Sequence, residues 1–201
     1  TYIIGNNNTY INVNDITLYN NKLYAATSRG VIFADYDNPN LADHSQWQLD
    51  RSMIHDLVNY SEIETFNGLL IANYSENKYN TDTMFVHDGT SWDYFLKDDN
   101  SIKREIKAYD DRLILSKHYS VMVYDKNINL LSNFANSLEP FATTYDVNRN
   151  CYWIGDKVKS LIRMNLDGSN DRIVFNGPFN NSAFEIKAKG DQVWVASGGY
   201  T

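Results

Sequence analysis

The chain has 201 residues, 43% of them hydrophobic, enough for one sizeable core. Its formal net charge is −7 with no run of Lys or Arg, which argues against a nucleic-acid partner and a basic membrane-surface helix. No apolar stretch approaches the ~18 residues of a bilayer span, and the one cysteine, Cys151, cannot form an internal disulfide.

The chain begins at Thr1 without Met or signal peptide, so it reads as a mature product or an excised piece. The first alternating strand is Ile16-Thr17-Leu18-Tyr19, followed by the turn Asn20-Asn21 and an apolar phrase, Leu23-Tyr24-Ala25-Ala26. A third strand, Gly30 to Asp35, and a weaker fourth, Trp47-Gln48-Leu49, complete the group. Between Ser52 and Tyr60 the spacing of Met53, Ile54, Leu57 and Val58 predicts one or two helical turns, the only helix expected. The second group runs from Ile63 through Asn67-Gly68, a strong hairpin signal, to Leu69-Leu70-Ile71-Ala72 and on to Trp92-Asp93-Tyr94-Phe95. The third carries Leu113-Ile114-Leu115-Ser116 and the fourth Tyr152-Trp153-Ile154-Gly155. The last begins at Ile186 and carries Val193-Trp194-Val195-Ala196.

One phrase therefore recurs five times at intervals near 40–50 residues, each time inside a set of short strands. That period is the signature of a β-propeller, all-β with about five four-stranded blades. Each phrase ends in a small residue (Ala26, Ala72, Ser116, Gly155, Ala196), which would let inner strands of neighbouring blades approach closely. An Asp or Asn closes each third strand and predicts an Asx-type turn. Cys151 abuts a core strand and reads as a buried, inert thiol.

The chain stops in the repeat phase in which it starts. Residues 1–201 thus form a single propeller domain with four whole blades, at about 16–50, 61–97, 104–135 and 142–176, and a fifth divided between 184–201 and 1–13. Two arrangements satisfy this. The termini can close a five-bladed ring, which removes open edges, or the chain can be an arc of a larger ring.

Ala26-Thr27-Ser28-Arg29-Gly30-Val31-Ile32-Phe33 resembles the core of two-component-regulator propeller repeats. Over 152–199, Tyr152-Trp153-Ile154-Gly155-Asp156, Leu161-Ile162-Arg163, Asn176-Gly177-Pro178 and Val193-Trp194-Val195-Ala196 with Gly198-Gly199 resemble PorZ-type propeller proteins of the Bacteroidetes type IX secretion system. The chain departs from the usual pattern at Gly155 and at Lys159-Ser160, and those proteins are much longer. The resemblance implies a piece of a periplasmic or cell-surface scaffold serving secretion and sortase partners, with glycan contact. Its alternative is the polysaccharide-sensing propeller of a hybrid two-component regulator.

Chemistry is sparse. The four histidines lie at different repeat phases, and no His-x-x-x-His or Glu-x-x-His pattern exists. Asp35, Asp37 and Asn38 read as a turn, not a calcium loop. We expect no cofactor, no metal and no catalysis; a propeller lyase or hydrolase, the less favoured reading, would show two or more carboxylates, or a metal, converging at the mouth of the central channel. The expected binding face is made by the loops after each phrase. Its residues are Asn73, Tyr74, Lys78 and Tyr79 in the longest loop, Lys117, His118 and Tyr119, and Asp156 with Lys157. Tyr among Asn, Ser and Lys suits stacking on sugars or peptides. Trp47 with Trp92, and Trp153 with Trp194, hold matched positions expected to pack blade on blade.

Overall fold

Alternating strands joined by tight Asn turns build antiparallel sheets here. The computed structural model describes residues 11–76, 81–135, 138–173 and 183–197. The first sheet holds β1 (Val13–Tyr19), β2 (Lys22–Thr27), β3 (Gly30–Asp35) and β4 (Gln48–Leu49), and the second β5 (Tyr60–Phe66), β6 (Leu69–Tyr74), β7 (Thr83–His87) and β8 (Trp92–Phe95). The third holds β9 (Lys103–Ala108), β10 (Arg112–Lys117), β11 (Val121–Asp125) and β12 (Leu130–Phe134). The fourth holds β13 (Pro140–Asp146), β14 (Cys151–Asp156), β15 (Ser160–Asn165) and β16 (Asn170–Ile173). β17 (Ala183–Lys189) and β18 (Gln192–Ser197) form a two-stranded sheet. Every sheet is an up-and-down meander, the blade anticipated from the repeats. The chain divides into two units, residues 1–102 with the first two sheets and residues 103–201 with the rest. The divided fifth blade depends on residues 1–10 and 198–201, which lie outside the described residues.

Local chemistry explains the turns. Asn20 and Asn21 both take positive φ (46° and 59°), as do Asn67 and Gly68 (48° and 79°). Two successive positive-φ residues make the type I′ turn that matches strand twist. The Asx expectation is met at Asp88, whose Oδ1 accepts from the Thr90 and Ser91 amides, and at Asp125, whose Oδ1 accepts from the Asn127 and Asn129 amides.

The register corrects one alignment. All five first strands carry a bulge, after which Asp15 faces Ala26, Glu62 faces Asn73, Glu105 faces Ser116, Ala142 faces Gly155 and Glu185 faces Ala196. In the second blade the small-residue place therefore belongs to Asn73, not Ala72. Leu69 and Leu70 are interchangeable in a sequence pattern, but the Asn67-Gly68 turn pairs Phe66 with Leu69 and shifts the phrase by one.

The bulge also latches blade to blade. Asp15 Oδ2 accepts from the Ile63 amide (2.9 Å), and Glu105 Oε2 accepts from the Thr143 amide (2.6 Å). The preceding residue donates in the same direction: Asn14 Nδ2 to Tyr60 O (2.5 Å), and Arg104 Nη1 to Pro140 O (3.1 Å). A first strand is an edge strand with unpaired backbone groups, and this pair of side chains satisfies one N–H and one C=O of its successor. Ala142 lacks the carboxylate. There Ala142 of β13, Trp153 of β14, Leu161 of β15 and Ile186 of β17 form an apolar cluster.

In the first unit one core unites both sheets, with Tyr24, Val31, Met53, Tyr60, Leu70, Phe85 and Trp92. The segment before β5 forms bends, not helical turns. Its polar groups are spent on the first sheet and on the residue that follows it: Val58 O accepts from Gly30 N (2.7 Å) and Asp50 Oδ1 accepts from Ser52 N (3.0 Å). Among the described residues the helical element is a 3-10 turn at His44–Gln46, which the sequence reading did not anticipate. The tryptophans diverge. Trp92 Nε1 donates across to Asp50 Oδ2 (3.0 Å), whereas Trp47 Nε1 donates to Leu41 O of its own connection. Trp153 is buried but Trp194 is 63% exposed, so position in the repeat does not fix its packing. Cys151 is buried.

Candidate functional site

Four of the expected binding residues converge in the second unit, around the turns that follow β10 and β14. The β9 bulge turns Arg104 out of the strand, where its guanidinium lies 4.2 Å from the Phe141 ring centroid while donating to Pro140 O. The turn after β10 is closed by Lys117 N donating to Ser120 O (2.8 Å), and it lifts Tyr119 to 63% exposure. His118 stacks on Tyr119, with centroids 4.0 Å apart and planes inclined by 11°.

Asp156 is the buried anchor of this patch. Its Oδ1 accepts from Val158 N (2.9 Å) and Lys159 N (2.7 Å), and its Oδ2 accepts from Glu139 N (2.5 Å). Three backbone donors fix both the β14–β15 turn and the approach to β13. Lys157 N in turn donates to Glu139 O (3.0 Å), and its ammonium lies 3.8 Å from Glu139 Oε2. Burial, then the Arg104 and Lys157 cations, hold His118 below its ordinary value against the pull of Glu139. The imidazole is therefore a neutral stacking partner at neutral pH.

The patch offers an exposed flat aromatic, two cations and one carboxylate over a rigid base. That set suits stacking plus polar contacts to a sugar or peptide. Among the described residues no group of three or more His, Cys, Asp or Glu is placed to hold a metal ion.

The other expected residues sit elsewhere. Asn73 is fully buried in β6, donating to Ser61 Oγ and Asp82 Oδ2 (both 2.8 Å), so it braces the loop rather than facing solvent. Tyr74 packs on the first unit's core beside His55 and Tyr60. Lys117 is buried with its Nζ 3.3 Å from Met122 Sδ. Lys78 and Tyr79 lie outside the described residues. Sequence reasoning missed Arg104 and Glu139, which come from a bulge and a strand approach rather than from a loop after the phrase. A signal was present: Asn14-Asp15 and Arg104-Glu105 are donor–acid pairs at one repeat position.

No family model matches the sequence, and no curated protein does. Solved structures do. The extracellular domain assigned to a one component system of B. thetaiotaomicron superposes with a TM-score of 0.66 at 10% identity, over 92% of this chain and 26% of that one. The extracellular domain assigned to a hybrid two component system of the same organism gives 0.61 at 14%, over 92% and 25%. Virginiamycin B lyase from Staphylococcus aureus gives 0.61 at 11%, over 91% and 62%. The chain thus spans about a quarter of the two extracellular domains and less than two thirds of the lyase. At such identities the likeness carries the fold alone, a propeller-type repeat of four-stranded antiparallel blades.

Proposed function

We propose that this chain is a non-catalytic recognition module of an extracytoplasmic sensing protein, and that it binds a polysaccharide fragment through the Arg104–His118–Tyr119 patch. The observation that carries this reading is Tyr119, held flat and exposed by its stack on His118 and flanked by Arg104, Glu139 and Lys157. Stacking on a pyranose needs a rigid aromatic face, and polar neighbours then read the hydroxyls. Asp156 is engaged by three backbone amides, which makes it a brace, not a general base.

The extracellular signalling domains among the structural relatives favour sensing over the PorZ-type secretion scaffold suggested by residues 152–199. The same relatives support an address outside the cytoplasm. The test is a glycan array followed by calorimetry on the parent, Tyr119→Ala and His118→Ala. Loss of a stacked aromatic should weaken a glycan hit by about tenfold. Equal binding by parent and Tyr119→Ala would remove the patch from the reading. Retention of a secretion-system protein with no glycan hit would favour the scaffold.

A further inference from the structure

The first unit contains a cleft of about 310 Å³ that the patch does not involve. It is walled by Tyr19, Lys22, Tyr24 and Phe33 of the first sheet and by His87 of the second, with Asp50 behind them. The volume falls at the small end of ligand pockets and suits one monosaccharide-sized molecule.

Its polar lining is mixed, with Asn20, Ser52 and Asp50 beside three groups that can donate to a ligand, Lys22, Tyr24 and His87. The Lys22 ammonium rests 4.4 Å over the Phe33 ring and makes no ion pair with any described carboxylate. No described side chain or backbone group hydrogen-bonds the Tyr24 hydroxyl. Burial, then Asp50 and Tyr19, push that hydroxyl above its ordinary value, so it stays protonated. His87 Nδ1 accepts from Gly89 N (3.0 Å), which leaves Nε2 to carry the ring proton. Asp50 is engaged at both carboxylate oxygens. Its Oδ1 takes the Ser52 amide (3.0 Å) and hydroxyl (2.5 Å), and its Oδ2 takes the Trp92 indole (3.0 Å). Tyr19 is likewise committed, donating to Gly68 O (3.1 Å), so it contributes a ring face.

With the Asp50 carboxylate held by three donors of its own, the unpaired Lys22 cation, the Tyr24 and His87 donors and the aromatic walls suit a ligand with one negative charge, several acceptor oxygens and an apolar C–H face. We propose that this cleft binds a single sugar unit bearing a carboxylate, of the uronic acid class, with Lys22 on the carboxylate and Tyr24 and His87 on hydroxyl oxygens. A neutral hexose lacks the group that Lys22 selects. The site lies wholly in the first unit and stands or falls separately from the patch in the second.

The experiment titrates isotopically labelled protein with D-glucuronate and, in parallel, with D-glucose, following backbone and side-chain resonances by NMR. Saturable shifts at Lys22, His87 and Gly89 with glucuronate, and none with equal glucose, are expected. Lys22→Gln, on a half-exposed hairpin position, should keep the native spectrum and weaken glucuronate by about tenfold, the loss of one charge-assisted hydrogen bond. Tyr24→Phe keeps the ring and should weaken it by about threefold to tenfold. The proposal is overturned by absence of saturable shifts up to about 50 mM, an affinity too weak for a site. It is equally overturned by glucose binding as tightly, or by a folded Lys22→Gln that binds as the parent does.

Discussion

Replacing Glu105 with alanine tests the latch between the third and fourth blades. The Thr143 amide is fully buried and donates to Glu105 Oε2 at 2.6 Å. Deleting the carboxylate leaves that N–H without its acceptor, at a cost of about 1–3 kcal/mol. The Glu105–Lys107 pair (3.0 Å) is lost as well, but Lys107 is 35% exposed, so screening limits its share to about 0.5 kcal/mol. Removing a buried carboxylate returns part of this, because burial, against Lys107 and the Thr143 amide, holds its pKa above the ordinary carboxylate range. A net loss of about 2 kcal/mol is expected, a fall of about 1 M in the urea midpoint at a typical slope. Glu105→Gln keeps a carbonyl acceptor and should lose less than about 1 kcal/mol. The pH dependence gives the sign. A folded-state pKa raised above the unfolded value contributes stability that is full below the unfolded value and fades as pH rises through the folded one. The glutamine variant should therefore gain on the parent as pH rises from about 4 to 7. An alanine cost under about 0.5 kcal/mol, or a glutamine cost as large as that of alanine, would refute the latch.

Gly30 has φ +106°, and a Cβ there would lie 2.2 Å from Asp56 O. Gly30→Ala should cost about 3 kcal/mol or more, read by thermal or urea unfolding, whereas a cost under about 1 kcal/mol would mean that the 51–58 segment is free to move away. Hydrogen bonds from the Thr90 side chain and the Ser91 and Thr90 amides hold Asp88 down to about 2. Such an acid supports the fold above its unfolded pKa and loses that support as pH falls through its folded one. Asp88→Asn should flatten the acid limb of stability between about pH 4 and about 2, and an unchanged limb would dismiss the turn as its source.

Much of the fold was legible because turn chemistry and two-residue periodicity are local. The Asn20-Asn21 and Asn67-Gly68 hairpins and the Asx turns at Asp88 and Asp125 needed no tertiary information. The second repeat's register was not legible from apolar pattern, since Leu69-Leu70-Ile71-Ala72 reads equally well one residue on. Apolar spacing at Met53 and Leu57 suggested helix, but Gly30 N and Asp50 claimed the backbone groups that a helix would have paired. For the candidate site, His118, Tyr119, Asp156 and Lys157 were found because all follow the repeated phrase. Arg104 and Glu139 escaped because a bulge, not a loop, presents Arg104, and because Glu139 is tied to Asp156 by a contact 17 residues apart. Burial decided the rest: Asn73 and Lys117 have the right residue types and the wrong side of the surface.

The latch at the bulge is asymmetric. The giving blade encodes it in two adjacent side chains, as at Asn14-Asp15 and Arg104-Glu105, while the receiving blade offers only a backbone N–H and C=O. Any strand of the right length presents those groups, whatever its sequence. A blade can then be copied, inserted or replaced with its neighbour unaltered, provided the unit before it keeps one donor and one acid. Such a joint tolerates drift in composition, which accords with a fold shared at 10–14% identity with the structures compared above.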